Sequence, residues 1–427
     1  MILTLLLISF AVVIAIGVPI AWAIGISSLL AIILMGLPLS TIPQKVFSGM
    51  DVFPLLCLPF FILAGELMGY GGLTRRLLNF AVILVGRIRG GLGLANVMAS
   101  MLFGGITGSA IADASALGSV EIPMMTKNGY PKSFSAAITA ASACIGPIIP
   151  PSIPVVIYAM AVSEVSIGGM FAGGMIPGIL VGLALMIMCY IISVKRHYPK
   201  RQEKVTAKEF LRASKDAFLA IMTPVIILGG IISGIFTPTE AGAIAVVYSF
   251  VVSFFIYREL KISDLPGMLL TTGVTTAVVM IIIGTCNIFG LVVAIEQLSV
   301  KLEEIIRPMG YYGFILAINV IFLIIGTFMD QNPAILILAP VFAPIAVNLG
   351  IEPIHFGVIV IMNLVIGLIT PPLGQVLFVV GPIAKVSFED VAKEVLPFML
   401  VEIGVLFLIS YVPFLVVIIP TLFGYIR

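Results

Sequence analysis

Gly146-Pro147-Ile148-Ile149-Pro150-Pro151 returns 221 residues further along the chain as Gly367-Leu368-Ile369-Thr370-Pro371-Pro372. Both stretches lie inside long apolar runs. A proline within a helix removes a backbone donor and clashes with the preceding turn, so a double proline predicts a break. Polar patches that open at Gly104 and at Gly326 precede the two breaks by nearly the same distance. The chain is therefore predicted to be a duplicated unit with one broken helix in each copy.

The composition is that of a membrane protein. Of 427 residues, 61% are hydrophobic and 10% are charged, and the mean hydropathy is +1.25. These values exclude a soluble globular protein. Runs such as Ile2 to Ile16 are apolar on every face, whereas a membrane β-barrel would alternate apolar and polar residues. The predicted fold class is an all-α polytopic membrane protein.

One short segment, 195–216, carries a large share of the positive charge. It contains eight of the 22 basic residues: Lys195, Arg196, Lys200, Arg201, Lys204, Lys208, Arg212 and Lys215. A nucleic-acid patch is one interpretation of such a cluster. Because the segment lies between two apolar spans, a cytoplasmic loop that obeys the positive-inside rule is favoured, and no nucleic acid is expected as a partner.

The apolar runs give a topology when they are threaded outward from that loop. Crossings are predicted at 2–16, 20–37, 52–70, a broken 133–163, 168–194, 217–234, 238–257, 267–295, a broken 354–384 and 394–424. Two further stretches, 92–126 and 311–347, are apolar but interrupted by polar tips, and we interpret them as re-entrant hairpins. The segment from Thr74 to Arg89 is predicted to lie along the interface as an arm.

This threading places 18 basic residues inside and four outside, as the positive-inside rule requires. Each half then has five crossings, so the two halves have opposite orientations. The predicted domains are a first inverted repeat at 1–194, the loop at 195–216, and a second inverted repeat at 217–427. The expected surroundings are a lipid bilayer.

The breaks and the hairpin tips together predict a binding site. Irregular backbone at membrane depth is tolerated only where it is buried in protein or lines a wet cavity. The tips are Gly104 to Ser109 and Gly326 to Asn332, and they face Gly146 to Ser152 and Gly367 to Gly374. Carbonyls at helix C-termini suit a small cation, and amides at N-termini suit a carboxylate. Neutral oxygen ligands are expected from Thr107, Ser109, Thr327, Asn332 and Thr370.

Several acidic residues lie within the predicted membrane segments. Asp330, in the second tip, is predicted either to bind a cation or to cap the following half-helix, or to do both. Asp113 is interpreted as a helix-terminus or packing residue. Structural roles are favoured over proton transport for four others: Glu66, Glu121, Glu240 and Glu402.

The chain offers little to catalysis. His197 and His355 belong to no metal-binding pattern, and the four cysteines form no CxxC pair. No Walker A motif is present, so ATP is not expected as the energy source. We therefore predict no catalytic residue, no cofactor and no enzymatic activity. A polytopic membrane enzyme stays a distant alternative because it would need a clustered acid, base or metal set.

Four motifs resemble a known family. They are GGITGSAIADASALG from Gly104 to Gly118, the break from Gly146 to Ile153, GIFTPTEA from Gly234 to Ala241, and the tip from Gly326 to Pro333. In this order they are similar to the large membrane subunit of tripartite ATP-independent periplasmic (TRAP) transporters, over essentially the whole chain. The resemblance implies a multi-pass protein of the bacterial inner membrane that imports organic acids with Na⁺ by an elevator mechanism.

The resemblance also implies partners and site residues. A periplasmic substrate-binding protein delivers the small organic acid, and a small four-helix membrane subunit enlarges the scaffold. The implied coupling ion is Na⁺, at two or more sites. One maps to Gly105, Thr107, Ser109, Gly146 and Ile149, and the other maps to Gly326, Thr327, Asp330, Gly367 and Thr370. The substrate is expected at Ser109, Ser152, Asn332, Pro150 and Pro371.

The substrates of this family include C4-dicarboxylates and sialic acids, and the sequence as a whole resembles the sialic-acid members most, which favours sialic acid. No single residue decides between them. A stand-alone divalent-anion/Na⁺ symporter of similar hairpin architecture is the alternative function, and it would need no binding protein.

Overall fold

A computed structural model describes residues 2–162, 164–200 and 205–426, without the side chains of residues 105–107. The described chain consists of helices and turns, with no β-strand among these residues. The first half contains α1 (Ile2–Ala15), α2 (Ile20–Leu34), α3 (Thr41–Met50), α4 (Cys57–Tyr70), α5 (Leu73–Val85), α6 (Gly91–Thr107), α7 (Ala110–Ala116), α8 (Gly118–Lys127), α9 (Lys132–Ala143), α10 (Ile153–Ala161) and α11 (Ile167–Lys195).

The second half repeats this order with longer hairpin arms. It contains α12 (Ala207–Ile232), α13 (Pro238–Val251), α14 (Leu265–Ile295), α15 (Leu298–Ile306), α16 (Gly310–Phe328), α17 (Gln331–Asn348), α18 (Pro353–Gly367), α19 (Gln375–Ala384), α20 (Phe388–Tyr411) and α21 (Phe414–Leu422). The predicted hairpins are α6 with α7 and α8, and α16 with α17. The predicted broken helices are α9 with α10, and α18 with α19. The all-α fold class is confirmed.

The two broken helices form the centre of the protein. Every residue of α9 from Phe134 to Ala143 is buried, and so is every residue of α18 from Ile354 to Gly367. The thiol of Cys144 lies 3.5 Å from the carbonyl oxygen of Val365, and these two residues are 221 positions apart. Since 221 is also the spacing of the double prolines, a residue of one repeat here touches its own counterpart. The repeats therefore meet across a local pseudo-twofold axis.

Fewer single helices of the described chain are long and apolar enough to cross a membrane than the ten crossings predicted from the sequence. Seven described segments are long and apolar enough to cross, and the bent pair of α20 and α21 would make an eighth. Two of the seven, α17 and the segment containing α16, are arms of the predicted second hairpin, so five of the ten predicted crossings are among the seven. The bent pair is a sixth, and the other four contain shorter helices: α1, α2, the broken α9 with α10, and the broken α18 with α19. A broken crossing consists of two short helices, and neither of them is long enough to cross the membrane alone.

Two predicted segments have a different local structure from that expected. Helix α12 begins at Ala207, inside the predicted basic loop 195–216, because Thr206 and Glu209 form a capping box that starts the helix there. The last crossing was predicted as one span over 394–424. It is instead α20 and α21, bent by 61°, and Pro413 stands directly before α21.

The second hairpin also differs from expectation. Its arms have 19 and 18 residues and were predicted to be too short for full crossings, yet α17 and the segment containing α16 both pass the length test. The arm predicted from Thr74 to Arg89 is α5. It is amphipathic and buries Leu73, Leu77, Leu78 and Ala81 toward its neighbours α6 and α12.

Candidate ion and substrate site

The first hairpin and the first broken helix touch through two glycines. A Cβ atom added to Gly104 would lie 2.7 Å from the Cα atom of Gly146. Only glycine permits so close an approach of two backbones. Because Gly104 lies in the last turn of α6 and Gly146 lies three residues beyond the end of α9 at Ala143, the contact brings two helix C-termini together.

The second hairpin and the second broken helix touch in the same way. A Cβ atom on Gly367 would lie 2.4 Å from the carbonyl carbon of Gly326, and one on Gly326 would lie 2.8 Å from the carbonyl oxygen of Leu364. Helix α16 ends at Phe328 and α18 ends at Gly367. Each repeat therefore has a glycine contact at which two helices terminate.

These paired helix ends have an electrostatic consequence. A helix C-terminus carries about half an elementary negative charge on carbonyls that lack intrahelical donors. Two such ends together carry roughly one negative charge, which favours a small cation. Pro150 has no amide hydrogen, so it cannot donate to the carbonyl of Gly146 as the next turn of a helix would. The breaks thus leave acceptors where the two negative ends meet.

The first tip packs against the start of α10. Gly108 has a φ of +61°, and a Cβ atom there would lie 2.8 Å from the amide nitrogen of Ile153. The hydroxyl of Ser109 caps α7, and the hydroxyl of Ser152 caps α10 by accepting from the amide of Val155 at 3.4 Å. Ser152 also donates to the carbonyl of Pro147. Ser152 therefore links the two sides of the first break, and the N-terminus of α10 lies beside the first tip.

The second tip is organised by Asp330. Its Oδ1 atom accepts from the amide of Asn332 at 2.9 Å, so Asp330 caps α17 and the predicted capping role is confirmed. The hydroxyls of Thr327 and Thr370 donate to the carbonyls of Ile324 and Ile366 at 2.7 and 2.8 Å. Because each hydroxyl donates to its own helix, its oxygen keeps a lone pair for a cation. The role of Asp330 as a cation ligand stays a prediction.

A cavity of about 830 Å³ connects the two tips. Ser109 and Ile153 line it from the first repeat, and Gln331 and Asn332 line it from the second. Within the described residues, the Oε1 atom of Gln331 and the Oδ1 atom of Asn332 are buried without a hydrogen-bond partner. Elsewhere in this cavity Arg75 and Glu259 form an ion pair at 2.9 Å.

The structure brings five of the predicted site residues to the two glycine contacts and the cavity. Gly146, Gly326 and Gly367 form the glycine contacts, and Ser109 and Asn332 line the cavity. The side chains of residues 105–107 lie outside the described residues, so the predicted ligand roles of Gly105 and Thr107 stay predictions.

Other predicted residues hold the breaks and do not line the cavity. Ile149 packs its side chain against Gly178 of α11, and the break at Pro150 lies beside Gly174 of the same helix. Ser152 is buried and Pro371 is half-buried, and neither residue is part of the cavity lining. Their predicted contacts with substrate therefore have no support from the cavity. Pro150, Pro371 and Ser152 therefore fix the backbone at the breaks without lining the cavity.

Sequence reasoning missed several lining residues. Ala112, Ser115, Ala116 and Ser119 follow Ser109 along the second arm of the first hairpin and line the same cavity. Their spacing of three to four residues puts small and hydroxylated side chains on one helical face, and that periodicity was a usable signal. The residues on the opposite wall, such as Glu66 and Thr275, come from α4 and α14. No sequence pattern predicts that α4 and α14 lie opposite the tips.

Comparison with known proteins places this geometry in a family. The family described as "Tripartite ATP-independent periplasmic transporter, DctM component" matches residues 7–415. The sialic acid TRAP transporter large permease protein SiaM of Vibrio cholerae is 43% identical over 385 residues, which is 90% of each chain. The C4-dicarboxylate TRAP transporter large permease protein DctM of Pseudomonas aeruginosa is 40% identical over 94% of each chain.

Two further comparisons concern a longer relative and the fold. The isethionate TRAP transporter permease protein DctMQ of Oleidesulfovibrio alaskensis is 42% identical over 95% of this chain but only 64% of its own length. The crystal structure of the YdaH transporter of Alcanivorax borkumensis superposes with a TM-score of 0.62 at 15% identity, over 88% of each chain, and supports the fold alone. The chain belongs to the family of large membrane permeases, the DctM components, of tripartite ATP-independent periplasmic transporters.

Proposed function

We propose that this chain imports an organic acid across the bacterial inner membrane by coupling its movement to Na⁺. The observation that carries the proposal is the pairing of helix C-termini at Gly104 with Gly146 and at Gly326 with Gly367. Each pair concentrates roughly one negative charge among backbone carbonyls in a low-dielectric interior. A hard monovalent cation neutralises that charge, which gives one Na⁺ for each repeat.

The substrate carboxylate fits between these two cation sites. The N-termini of α10 and α17, both at least nine residues long, flank the cavity at Ile153 and Gln331. Amides at helix N-termini favour an anion. Two bound cations nearby would strengthen that preference, so Na⁺ and substrate would raise each other's affinity by the same factor.

The lining favours a hydroxylated monocarboxylate such as sialic acid over a C4-dicarboxylate. Ser109, Ser115, Ser119, Thr275 and Asn332 offer neutral hydrogen-bonding groups. Among the described lining residues the single cationic side chain is Arg75, and Glu259 already engages it at 2.9 Å. A second carboxylate would therefore lack a free cationic partner, whereas sugar hydroxyls would find donors and acceptors.

The chain acts with two partners in this proposal. A periplasmic binding protein delivers the acid, and a small four-helix subunit widens the scaffold. Support for the second partner comes from the DctMQ relative, of which this chain spans only 64%. The remaining length of that relative leaves room for a fused second subunit.

Transport is proposed to follow an elevator mechanism. The two hairpins and the two broken helices share the buried centre around Cys144 and Val365. Because a closely packed interior resists internal deformation, these elements would move together. The helices of the opposite cavity wall, α4 and α14, would stay in the membrane as the scaffold.

Uptake into proteoliposomes tests the coupling. The vesicles contain this chain and its small subunit, and substrate-loaded binding protein is added outside. With an inward Na⁺ gradient, labelled sialic acid should accumulate, and replacing Na⁺ by K⁺ should lower the initial rate at least roughly tenfold, because the carbonyl sites would lack their cation.

Three arms make this experiment decisive. Unchanged uptake in K⁺ contradicts the proposed coupling. Robust uptake by this chain without binding protein favours a stand-alone symporter. Accumulation of a C4-dicarboxylate but not of sialic acid, each with a binding protein loaded by that acid, contradicts the proposed substrate class.

A further inference from the structure

A buried polar cluster ties the first hairpin to the first broken helix. Asn96 of α6 donates from its amide nitrogen to Thr139 of α9 at 2.7 Å and to Glu121 of α8 at 2.6 Å. Its carbonyl oxygen accepts from Ser142 of α9 at 2.7 Å, and Ser142 in turn accepts from Ser100 at 3.0 Å. All five side chains are at most 1% exposed. We name the pair Asn96 and Ser142 the first clasp.

The first clasp leaves Asn96 no freedom to turn. An asparagine has two N–H donors and one carbonyl oxygen, and here every one of these groups is engaged by a different partner. These partners lie on two other helices, α8 and α9. Rotation of the side chain would leave buried polar groups unpaired, which is costly in an apolar interior.

The position of this cluster along its helices is informative. Ser100 precedes Gly104 by four residues, and Ser142 precedes Gly146 by four residues. Four residues are about one helical turn. The hydrogen bond between Ser100 and Ser142 therefore lies one turn before the glycine contact along both helices, and Asn96 lies one turn before Ser100 in α6. These bonds fix how far α6 can slide along α9.

The second repeat has its own clasp at the matching place. Asn363 of α18 donates to Asn319 of α16 at 2.7 Å, and Asn319 donates to Ser410 of α20 at 3.2 Å. All three side chains are fully buried. Asn363 precedes Gly367 by four residues, as Ser142 precedes Gly146. We name the pair Asn319 and Asn363 the second clasp.

We propose that the two clasps are positioning pairs that set the Na⁺ affinity of their own repeats. Neither clasp touches the tip. Each one holds a hairpin arm in register with a broken helix, so that the carbonyls at the glycine contact converge on one point. This inference rests on the proposed coupling to Na⁺, and it adds residues that lie one or two turns away from the cation.

The size of the effect follows from hydrogen bonds in membranes. Helices within a bilayer gain little from hydrophobic association, so interhelical hydrogen bonds contribute to their register. Losing one such bond should raise the Na⁺ concentration for half-maximal uptake about 3- to 15-fold. The maximal rate at saturating Na⁺ should stay near that of the wild type, because excess cation restores the register by mass action.

The test measures initial uptake against Na⁺ concentration in proteoliposomes with the small subunit and loaded binding protein. The variants are Ser142→Ala for the first clasp and Asn363→Ala for the second. Ser142→Thr keeps the hydroxyl and should restore most of the Na⁺ affinity. The matched control is Ser28→Ala, since Ser28 of α2 is fully buried and its hydroxyl has no hydrogen-bond partner within the described chain.

The outcomes separate the inference from the function on which it rests. A raised half-maximal Na⁺ concentration with a preserved maximal rate in both clasp variants, and no change in the control, supports the clasps. An unchanged half-maximal concentration, or a reduced rate that saturating Na⁺ does not restore, overturns them. Absence of Na⁺ dependence in the wild type contradicts the proposed function instead. If one variant fails to fold in detergent, the other repeat's variant decides by the same criteria.

Discussion

Uptake should fall about a hundredfold when alanine replaces Gly367 or Gly104. The added methyl group of Gly367→Ala would lie 2.4 Å from the carbonyl carbon of Gly326, and that of Gly104→Ala would lie 2.7 Å from the Cα atom of Gly146. Both neighbours are backbone, so the two helix ends must separate by a large part of an ångström. A displacement of about 1 Å at a site of this kind costs on the order of a hundredfold in rate.

Two other glycines supply the control. Gly404 of α20 and Gly273 of α14 lie in helices, and a Cβ atom at either position would meet nothing within 4 Å. Gly404→Ala and Gly273→Ala should therefore transport at close to the wild-type rate. Initial uptake, normalised to the amount of folded protein in the vesicles, is the measurement. Wild-type uptake by Gly367→Ala would remove the glycine contact from the site.

Asp330→Asn should separate the two roles proposed for Asp330. Asparagine caps a helix about as well as aspartate, so a residue that only caps would tolerate this change within a factor of about two. A carboxylate that also binds Na⁺ would lose its charge, and such a loss at a desolvated site costs about 2 to 5 kcal/mol. We therefore expect the half-maximal Na⁺ concentration of Asp330→Asn to rise about a hundredfold.

Asp330→Ala completes the comparison because it removes the charge and the cap together. It should raise the half-maximal Na⁺ concentration at least as much as Asp330→Asn, and it should also lower the melting temperature of the purified protein, since the amide of Asn332 loses its 2.9 Å acceptor. Equal Na⁺ dependence of Asp330→Asn and the wild type would reduce Asp330 to a capping residue.

Much of this architecture could be predicted because it depends on patterns that a membrane imposes. The double prolines located both broken helices, and polar tips within apolar runs located both hairpins. Charge asymmetry around the central loop predicts the orientation in the membrane, which stays a prediction. The bilayer restricts a chain to few solutions, so these local signals were sufficient for the fold.

The remaining features depend on contacts between distant parts of the chain. The bend between α20 and α21 occurs at Pro413. The run of apolar residues continues on both sides of this proline, so hydropathy alone predicts one span. The start of α12 within the basic loop depends on the capping box of Thr206 and Glu209. The partners of Asn96 on α8 and α9 lie 25, 43 and 46 residues away, and no periodicity along one helix relates them.

The candidate site could also be predicted only in part from the sequence. Glycine at 146 and 367 was identified from its place beside each break, and glycine at 326 from its place in the second tip. At each of these positions an added Cβ atom would lie within 2.8 Å of a neighbouring atom. Gln331 and Ile153 were missed because their roles depend on the cavity that joins the two repeats. Backbone carbonyls carry no signature in a sequence, so the pairing of helix ends emerged only from the assembled fold.

Simultaneous counting of Na⁺ and substrate tests the central claim most directly. Radioactive Na⁺ and labelled acid are measured in the same proteoliposomes, with the small subunit and loaded binding protein present, and binding-protein-dependent entry is compared for the two labels. With one cation at each glycine contact, the account predicts two Na⁺ ions for every substrate molecule. Substrate entry with one Na⁺ ion or none would contradict it.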